Sequence, residues 1–206
     1  MTWIKICGMT TPAAVDTALE TGVDAIGFVF APSPRQLTPQ AAAGLAGPAR
    51  GRIACIAVMR HPTQDSLEEI LERFRPDALQ TDLEDLRTLQ IPQQLEVLPV
   101  IRLWQDEGRQ PRGRVLFEAA DSGVGMRADW DGASRLARQV ELVLAGGLTS
   151  ANVVTAMTAV RPFGVDVSSG VERERAIKDP AEIRRFVSAV RAHDQAGSPH
   201  VEEKSR

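Results

Sequence analysis

The first chemically unusual stretch of the sequence is Lys5-Ile6-Cys7, in an apolar run that ends before Gly8. Successive side chains of a strand point to opposite faces, so Lys5 and Cys7 share one face. A free thiol has a pKa of about 8.5, and a neighbouring ammonium group lowers that pKa. We interpret Lys5 as holding Cys7 as a thiolate that acts as base or nucleophile. The alternative is that Cys7 is a small buried core residue.

Two carboxylates also stand at the ends of apolar runs. Glu118 follows Val115-Leu116-Phe117, and Asp166 alternates with valines and shares a face with Ser168. Because a buried carboxylate is costly unless it is paired or solvated, Glu118 is either a general acid with a pKa raised by partial burial or a salt-bridge partner of Arg114 or Lys5. Asp166 is either part of a site or a structural hydrogen-bond partner.

Two glycine-containing turns follow the last two apolar runs. Gly146 and Gly147 follow Leu144-Ala145, and Ser168-Ser169-Gly170 follows Asp166-Val167. Glycine lets the backbone approach a ligand closely, and N–H groups at a helix start can hold a phosphate. The sequence therefore predicts a phosphate site here, although tight turns between strand and helix would have the same composition.

Two loops could add recognition of a substrate. Arg35 ends Pro32-Ser33-Pro34-Arg35, where its guanidinium would suit a carboxylate or would simply be solvated. The loop 121–125, which begins at Asp121, follows Glu118 and fits either a surface turn or a lid. Gln80 and Arg102 end two further runs and add polar groups to the same set of strand ends.

The elements that position these residues alternate along the whole chain. Near-continuous apolar runs separated by helical patterns indicate a parallel sheet covered by helices. Roughly eight such strand–helix units predict a single-domain (β/α)₈ TIM barrel, in which active sites form at the carboxyl ends of the strands. An open doubly wound sheet is the alternative, although no GxGxxG motif follows the first run.

Helix starts and the domain boundary can also be predicted. Thr11-Pro12, Thr38-Pro39 and Asp179-Pro180 each place a capping residue before a proline. The short polar segment 105–113 predicts that the fifth helix is reduced. The pattern places the barrel at 1–193 and a disordered tail at 194–206.

Composition restricts the class of protein. The chain has 206 residues, a formal net charge of −3 and an ordinary apolar content of 43%, so neither nucleic acid nor a membrane is expected as a partner. No signal peptide is evident, and we expect a cytoplasmic protein. Cys7 and Cys55 are expected to be free thiols. The three histidines and two cysteines show no metal-ligand spacing, so no metal is expected.

Several of these motifs together resemble one family. Lys5-Ile6-Cys7-Gly8-Met9-Thr10, the run 24–30 followed by Pro32-Ser33-Pro34-Arg35, the turn 144–148 and the segment 161–172 are similar to phosphoribosylanthranilate isomerases of tryptophan biosynthesis. The similarity covers about residues 3–190. It implies a TIM barrel without a cofactor that performs an Amadori rearrangement of a small phosphosugar, as a monomer or a homodimer.

The resemblance also implies roles for individual residues. Cys7 would be the general base, Arg35 would lie near the anthranilate carboxylate, and Asp166 would contact the sugar. The turns with Gly146, Gly147, Ser168, Ser169 and Gly170 would hold the phosphate.

The sequence departs from the family pattern at two strand ends. Glu118 stands where the family has an aspartate acid. Gln80 is retained, but Thr81-Asp82 replaces the leucine and histidine that usually follow it. Two other functions therefore stay open, a related phosphosugar synthase and a phosphosugar-binding barrel without activity.

Overall fold

The computed structural model describes residues 1–102, 112–118 and 129–197. Eight parallel strands pair in chain order, and the eighth pairs with the first, so the sheet is a closed barrel rather than an open one. The predicted TIM barrel is therefore confirmed. The barrel strands are β1 (Trp3–Cys7), β2 (Ala25–Val29), β3 (Ala54–Val58), β4 (Ala78–Asp82), β5 (Glu96–Ile101), β6 (Arg114–Phe117), β7 (Glu141–Leu144) and β8 (Gly164–Val167).

Six α-helices cover the barrel in the described ranges, and the predicted caps start three of them. Thr11 Oγ1 accepts from Ala14 N, Thr38 Oγ1 accepts from Ala41 N, and Asp179 Oδ1 accepts from Ala181 N. The side-chain oxygen thus satisfies one of the unpaired N–H groups of each first turn. The helices are α1 (Pro12–Thr21), α2 (Pro39–Ala46), α3 (Gln64–Arg73), α4 (Trp130–Leu136), α5 (Val153–Val160) and α6 (Pro180–Gly197).

The connection between β4 and β5 lacks an α-helix. Only a 3₁₀ helix, Asp85–Arg87, lies between Asp82 and Glu96. The helix predicted to be reduced was the next one, between β5 and β6. That prediction concerns residues that fall mainly in 103–111, outside the described ranges.

Proline is accommodated within β5. Pro99 has no N–H to donate, which normally excludes proline from a central strand. Here the pairing of β5 with β6 begins at Val100, one residue after Pro99, so the missing donor falls outside that ladder.

The core has two parts, as expected for a barrel with an outer layer of helices. Outward-facing strand residues such as Ile4, Ile6 and Phe28 pack against the helices. A smaller cluster, which includes Ala25, Leu116 and Val143, fills the interior. The inside also holds a charged residue, because the Lys5 side chain is fully buried.

The last helix extends past the predicted domain boundary at residue 193. Helix α6 continues to Gly197, and Asp194 accepts hydrogen bonds from Thr2 N at 2.9 Å and from Thr2 Oγ1 at 2.5 Å. Residues 194–197 therefore belong to the last helix, and Asp194 joins this end of the helix to Thr2. The remainder of the predicted tail, 198–206, lies outside the described residues. Among the helices described, none has the length and apolar character that crossing a bilayer requires.

Candidate active site

A cavity of about 250 Å³ opens at the carboxyl ends of the barrel strands. It brings together nine of the ten predicted site residues, and the tenth, Gly170, lies behind the cavity wall. The nine that line it are Cys7, Arg35, Gln80, Glu118, Gly146, Gly147, Asp166, Ser168 and Ser169. The predicted lid 121–125 lies outside the described residues.

Cys7 and Lys5 share the interior of the barrel, but the charge of Lys5 is directed at a different partner. Lys5 Nζ donates to Asp166 Oδ1 at 2.9 Å, and both side chains are buried. Burial alone would lower the pKa of Lys5, but Asp166 and Cys7 together outweigh burial and the pKa is raised. Asp166 is thus held by an ion pair beneath the cavity that it lines.

The protonation predicted for Cys7 is wrong. Burial raises the pKa of the Cys7 thiol, and Lys5 opposes this rise only in part. The prediction considered the neighbour on the same strand, but not the low polarity of the barrel interior or the negative charge of Asp166. The resting state of Cys7 is therefore the thiol.

Arg35 is neither solvated nor unpaired. Its Nε and Nη2 donate to the two carboxylate oxygens of Glu172 at 2.6 and 2.9 Å, and the residue is buried. Gly8, at φ 78°, lies under the Arg35 side chain, and a Cβ there would overlap with it. In the described part of the chain, Nη1 of Arg35 has no hydrogen-bond partner, so one edge of the guanidinium is left for a ligand.

Glu172 is the centre of a charge cluster behind Arg35. It also accepts from Lys178 Nζ at 2.7 Å and from Ala176 N at 3.1 Å. Although burial opposes the shift, these bonds and the two from Arg35 lower the pKa of Glu172 to about 2. Lys178 also donates to the carbonyl of Ser168 at 3.0 Å, so the cluster supports the loop after β8.

Glu118 pairs with Arg102, which is not one of the two partners predicted for it. Arg102 Nη2 donates to Glu118 Oε1 at 3.0 Å, and its Nη1 donates to Asp82 Oδ1. Arg114 bonds Glu141 at the other end of the barrel, and Lys5 bonds Asp166. One guanidinium therefore bridges two carboxylates that end β4 and β6.

A His–Asp cluster borders this bridge. Candidate ligand atoms of His61, Asp82 and Asp85 lie within 4.8 Å of one another. The Asp85 carboxylate already accepts from His61 N, His61 Nδ1 and Thr81 Oγ1, at 3.0, 2.9 and 2.7 Å. Since Asp82 likewise accepts from Arg102, the carboxylates are satisfied without an ion, and we assign the cluster a structural role.

Gln80 carries a polar atom that the protein leaves unsatisfied. Its side chain lines the cavity and is 5% exposed, and Oε1 has no hydrogen-bond partner among the described residues. An unpaired buried acceptor is costly, so this oxygen is suited to accept from a hydroxyl or N–H of a ligand.

The two glycine turns pack against each other. Gly146 and Gly147 have φ of 88° and 64°, a region that favours glycine, and Asn152 Nδ2 fixes the turn by donating to the Gly147 carbonyl at 2.8 Å. Gly170 abuts the Leu148 carbonyl so closely that a Cβ would overlap with it. Gly170 therefore brings the two turns together rather than facing the cavity itself.

Sequence reasoning missed the short hairpin after β8. Strands β9 (Glu172–Glu174) and β10 (Ile177–Lys178) pair antiparallel. They place Glu172 and Lys178 in the cluster behind Arg35, and the turn between them brings Arg175 to the cavity. The available signal was the charge-rich run 172–178 directly after the predicted phosphate turn.

The fold and the site together define a class of protein. A closed parallel barrel with acid, thiol and amide groups at the carboxyl ends of its strands is the arrangement of a TIM-barrel enzyme. Two glycine turns follow β7 and β8 beside the same cavity, at the position where such barrels usually bind phosphate.

Comparison with known proteins gives the particular family. Residues 4–189 match a family model described as N-(5'-phosphoribosyl)anthranilate isomerase. A relative of that name from Rhizobium etli is 39% identical, over 93% of this chain and 95% of the relative. The chain therefore belongs to the N-(5'-phosphoribosyl)anthranilate isomerase family.

Solved structures of the family have the same fold. One isomerase, in complex with reduced 1-(o-carboxyphenylamino)-1-deoxyribulose 5-phosphate, is 27% identical with a TM-score of 0.79, and the alignment covers 93% of this chain and all of the other (100%). A second, from Thermotoga maritima and described as a monomeric form of a dimeric isomerase, is 26% identical with a TM-score of 0.79, at 93% and 100% coverage.

Proposed function

We propose that this chain isomerises N-(5-phosphoribosyl)anthranilate to 1-(2-carboxyphenylamino)-1-deoxyribulose 5-phosphate in tryptophan biosynthesis. The observation that carries the proposal is that Cys7 and Glu118 line one cavity with the two glycine turns. An acid, a base and a phosphate site are what an Amadori rearrangement of a phosphosugar requires.

The first step we assign to Glu118. Its carboxylic acid protonates the ring oxygen of the ribose, and the furanose opens to an iminium ion. A guanidinium favours the charged form of a carboxylate, but Arg102 is shared between Glu118 and Asp82. Because Asp82 keeps Arg102 paired, Glu118 can hold a proton without leaving a bare guanidinium in the site.

The second step we assign to Cys7. As thiolate it removes the proton from C2′, which gives an enolamine that tautomerises to the ketone. Strands β1 and β6 are separated by β7 and β8 around the closed barrel, so the two groups approach the sugar from different sides. The raised pKa of Cys7 means that only a minor fraction of the thiol is ionised at neutral pH, and that this fraction is strongly basic.

Binding is divided among the other cavity residues. The backbone of Gly146, Gly147, Ser168 and Ser169 receives the phosphate, in line with the role of bare N–H groups at such turns, and Gly170 holds the two turns together. Gln80 Oε1 and Asp166 accept from sugar hydroxyls. Arg35 offers its Nη1 edge to the anthranilate carboxylate while Glu172 holds the other edge.

The proposal is tested by turnover. Purified protein is given N-(5-phosphoribosyl)anthranilate, and the carboxyphenylamino-deoxyribulose phosphate is identified by mass and chromatography. Conversion of the carboxyphenylamino-deoxyribulose phosphate itself to an indole, with loss of carbon dioxide and water, would indicate the related synthase instead. Tight binding of the substrate without turnover would indicate a binding barrel. All residues invoked belong to one chain, so the same test applies to a monomer and to a homodimer.

A further inference from the structure

Among the described residues, four arginines line the cavity, and three of them have carboxylate partners at different distances. Arg35 forms a bidentate pair with Glu172, and Arg102 bonds two carboxylates. Arg60 Nε lies 4.0 Å from Asp82. The remaining one, Arg175, makes neither a hydrogen bond nor an ion pair with any residue in the described ranges.

The turn that carries Arg175 is held in place at the next residue. Ala176 adopts a left-handed conformation, with φ 69°, which is unfavourable for a residue with a Cβ. Its carbonyl accepts from Thr10 Oγ1 at 2.5 Å, and its N–H donates to Glu172 Oε2 at 3.1 Å. Arg175 is thus fixed at the rim of the cavity, beside the loop after β1 and beside the carboxylate that holds Arg35.

Arg175 lies closer to the expected position of the aromatic end of the substrate than to that of its phosphate end. The phosphate end belongs to the turns after β7 and β8, where backbone N–H groups bind without side-chain charge. The hairpin turn instead adjoins Thr10 and, through Glu172, Arg35. Because Glu172 cancels the charge of Arg35, a second anionic group at this end would meet hydrogen-bond donors but little net positive charge.

We propose that Arg175 supplies this charge and is a specificity-determining residue for the carboxylate on the aromatic ring of the substrate. The inference rests on the proposed function, since that function defines the carboxylate. Arg35 orients the carboxylate through Nη1, and Arg175 attracts it. A charge-assisted bond to a carboxylate is the interaction that guanidinium groups make best.

The experiment compares two ligands and two variants by equilibrium binding. One ligand is reduced 1-(o-carboxyphenylamino)-1-deoxyribulose 5-phosphate, and the other is the same compound with an unsubstituted phenyl ring. Arg175→Gln is compared with Arg173→Gln, because Arg173 is an exposed arginine of the same hairpin that does not line the cavity. Melting temperature is followed for both variants.

We expect Arg175→Gln to weaken binding of the carboxylated ligand about tenfold, which is the lower end for loss of a charge-assisted bond at a partly exposed site. The affinity for the phenyl ligand should stay within about twofold of the parent value. Arg173→Gln should change neither affinity. Equal weakening of both ligands would place Arg175 on the phosphate and overturn the inference, as would unchanged affinities. Because binding is measured without turnover, the result for Arg175 is independent of whether the protein isomerises the substrate.

Discussion

Lys5 Nζ lies 2.9 Å from Asp166 Oδ1 inside the barrel, and this ion pair sits beside the thiol of Cys7. The two residues are register partners of β1 and β8, where the barrel closes. A buried ammonium requires a counter-charge, and Asp166 supplies it. The pair therefore fixes Asp166 in the cavity wall and limits how far Lys5 can stabilise a thiolate.

The first prediction follows from removing one member of this pair. Lys5→Met leaves the Asp166 carboxylate buried without its partner, which should cost about 3–5 kcal/mol of stability. Lys5→Met with Asp166→Asn should recover part of that loss, because no unpaired charge remains. Denaturant unfolding of the two variants measures both effects, and a single variant as stable as the double would contradict the pairing.

The second prediction concerns the thiols. Since burial raises the pKa of Cys7 above that of a free thiol, alkylation by iodoacetamide should be slow near neutral pH and should still increase above about pH 9. Cys55 is fully buried, with its pKa raised to about 11 by burial, and should react only on unfolding. The Cys7→Ser variant identifies which thiol is modified. If the pH dependence of Cys7 alkylation had its midpoint well below pH 8, the result would support the thiolate hypothesis.

The third prediction separates acid from base. Cys7→Ser and Glu118→Gln should each lower kcat by at least ~10², whereas Glu118→Asp changes only reach and should retain measurable activity. The rise of rate with pH reflects a deprotonated base and should vanish in Cys7→Ser. The fall of the rate at higher pH reflects loss of the proton from the acid and should vanish in Glu118→Gln. The residual rate of that variant should then increase until the pH reaches the raised pKa of Cys7.

Either variant can redirect the assignment. Full activity of Glu118→Gln would mean that another group donates the proton, with Asp166 as the candidate among the described residues. Full activity of Cys7→Ser would remove the thiol from the mechanism.

The fourth prediction tests the contact between the glycine turns. Gly170→Ala places a Cβ against the Leu148 carbonyl, so the turns must separate. We expect a higher KM and a lower melting temperature together. Gly44→Ala is the matched control, because nothing lies within 4 Å of a Cβ at this helical glycine, and it should stabilise the fold by roughly 0.4–1 kcal/mol. An unchanged KM in Gly170→Ala would show that the contact does not shape the site.

Much of the site could be predicted because a parallel barrel brings its strand ends to one edge. Alternation along β1 places Lys5 and Cys7 on one face, and the carboxyl-end rule gathers Glu118, Gln80 and the glycine turns. These inferences need only local pattern and one fold-level rule.

The rest depends on partners that are remote in sequence. Arg35 and Glu172 are 137 residues apart, and no local pattern distinguishes a paired loop arginine from a solvated one. The fourth apolar run was predicted to end at Gln80, but β4 continues through Thr81 and Asp82. Both are buried, since Asp85 and Arg102 satisfy them. The pKa of Cys7 likewise reflects a balance between burial and the charges of Lys5, Asp166 and Lys178, which only the assembled barrel defines.

The last prediction uses the acid at the centre of the Arg35 cluster. Glu172 has a pKa of about 2 in the folded chain, against 4.5 as its ordinary value. A carboxyl with a depressed pKa contributes stability above its unfolded value and loses it as pH falls toward the folded one. Stability should therefore drop between about pH 4.5 and pH 2, by an amount on the order of 3 kcal/mol.

Glu172→Gln removes this contribution at every pH. The variant leaves Arg35 and Lys178 buried without their carboxylate, so it should be less stable at neutral pH and should show a weaker acid dependence between those limits. Glu174→Gln is the matched control, because Glu174 is an exposed residue of the same hairpin. Urea unfolding of the three proteins at neutral pH and at about pH 3 measures the difference. An acid dependence identical in the parent and in Glu172→Gln would mean that Glu172 is not the residue whose protonation weakens the fold.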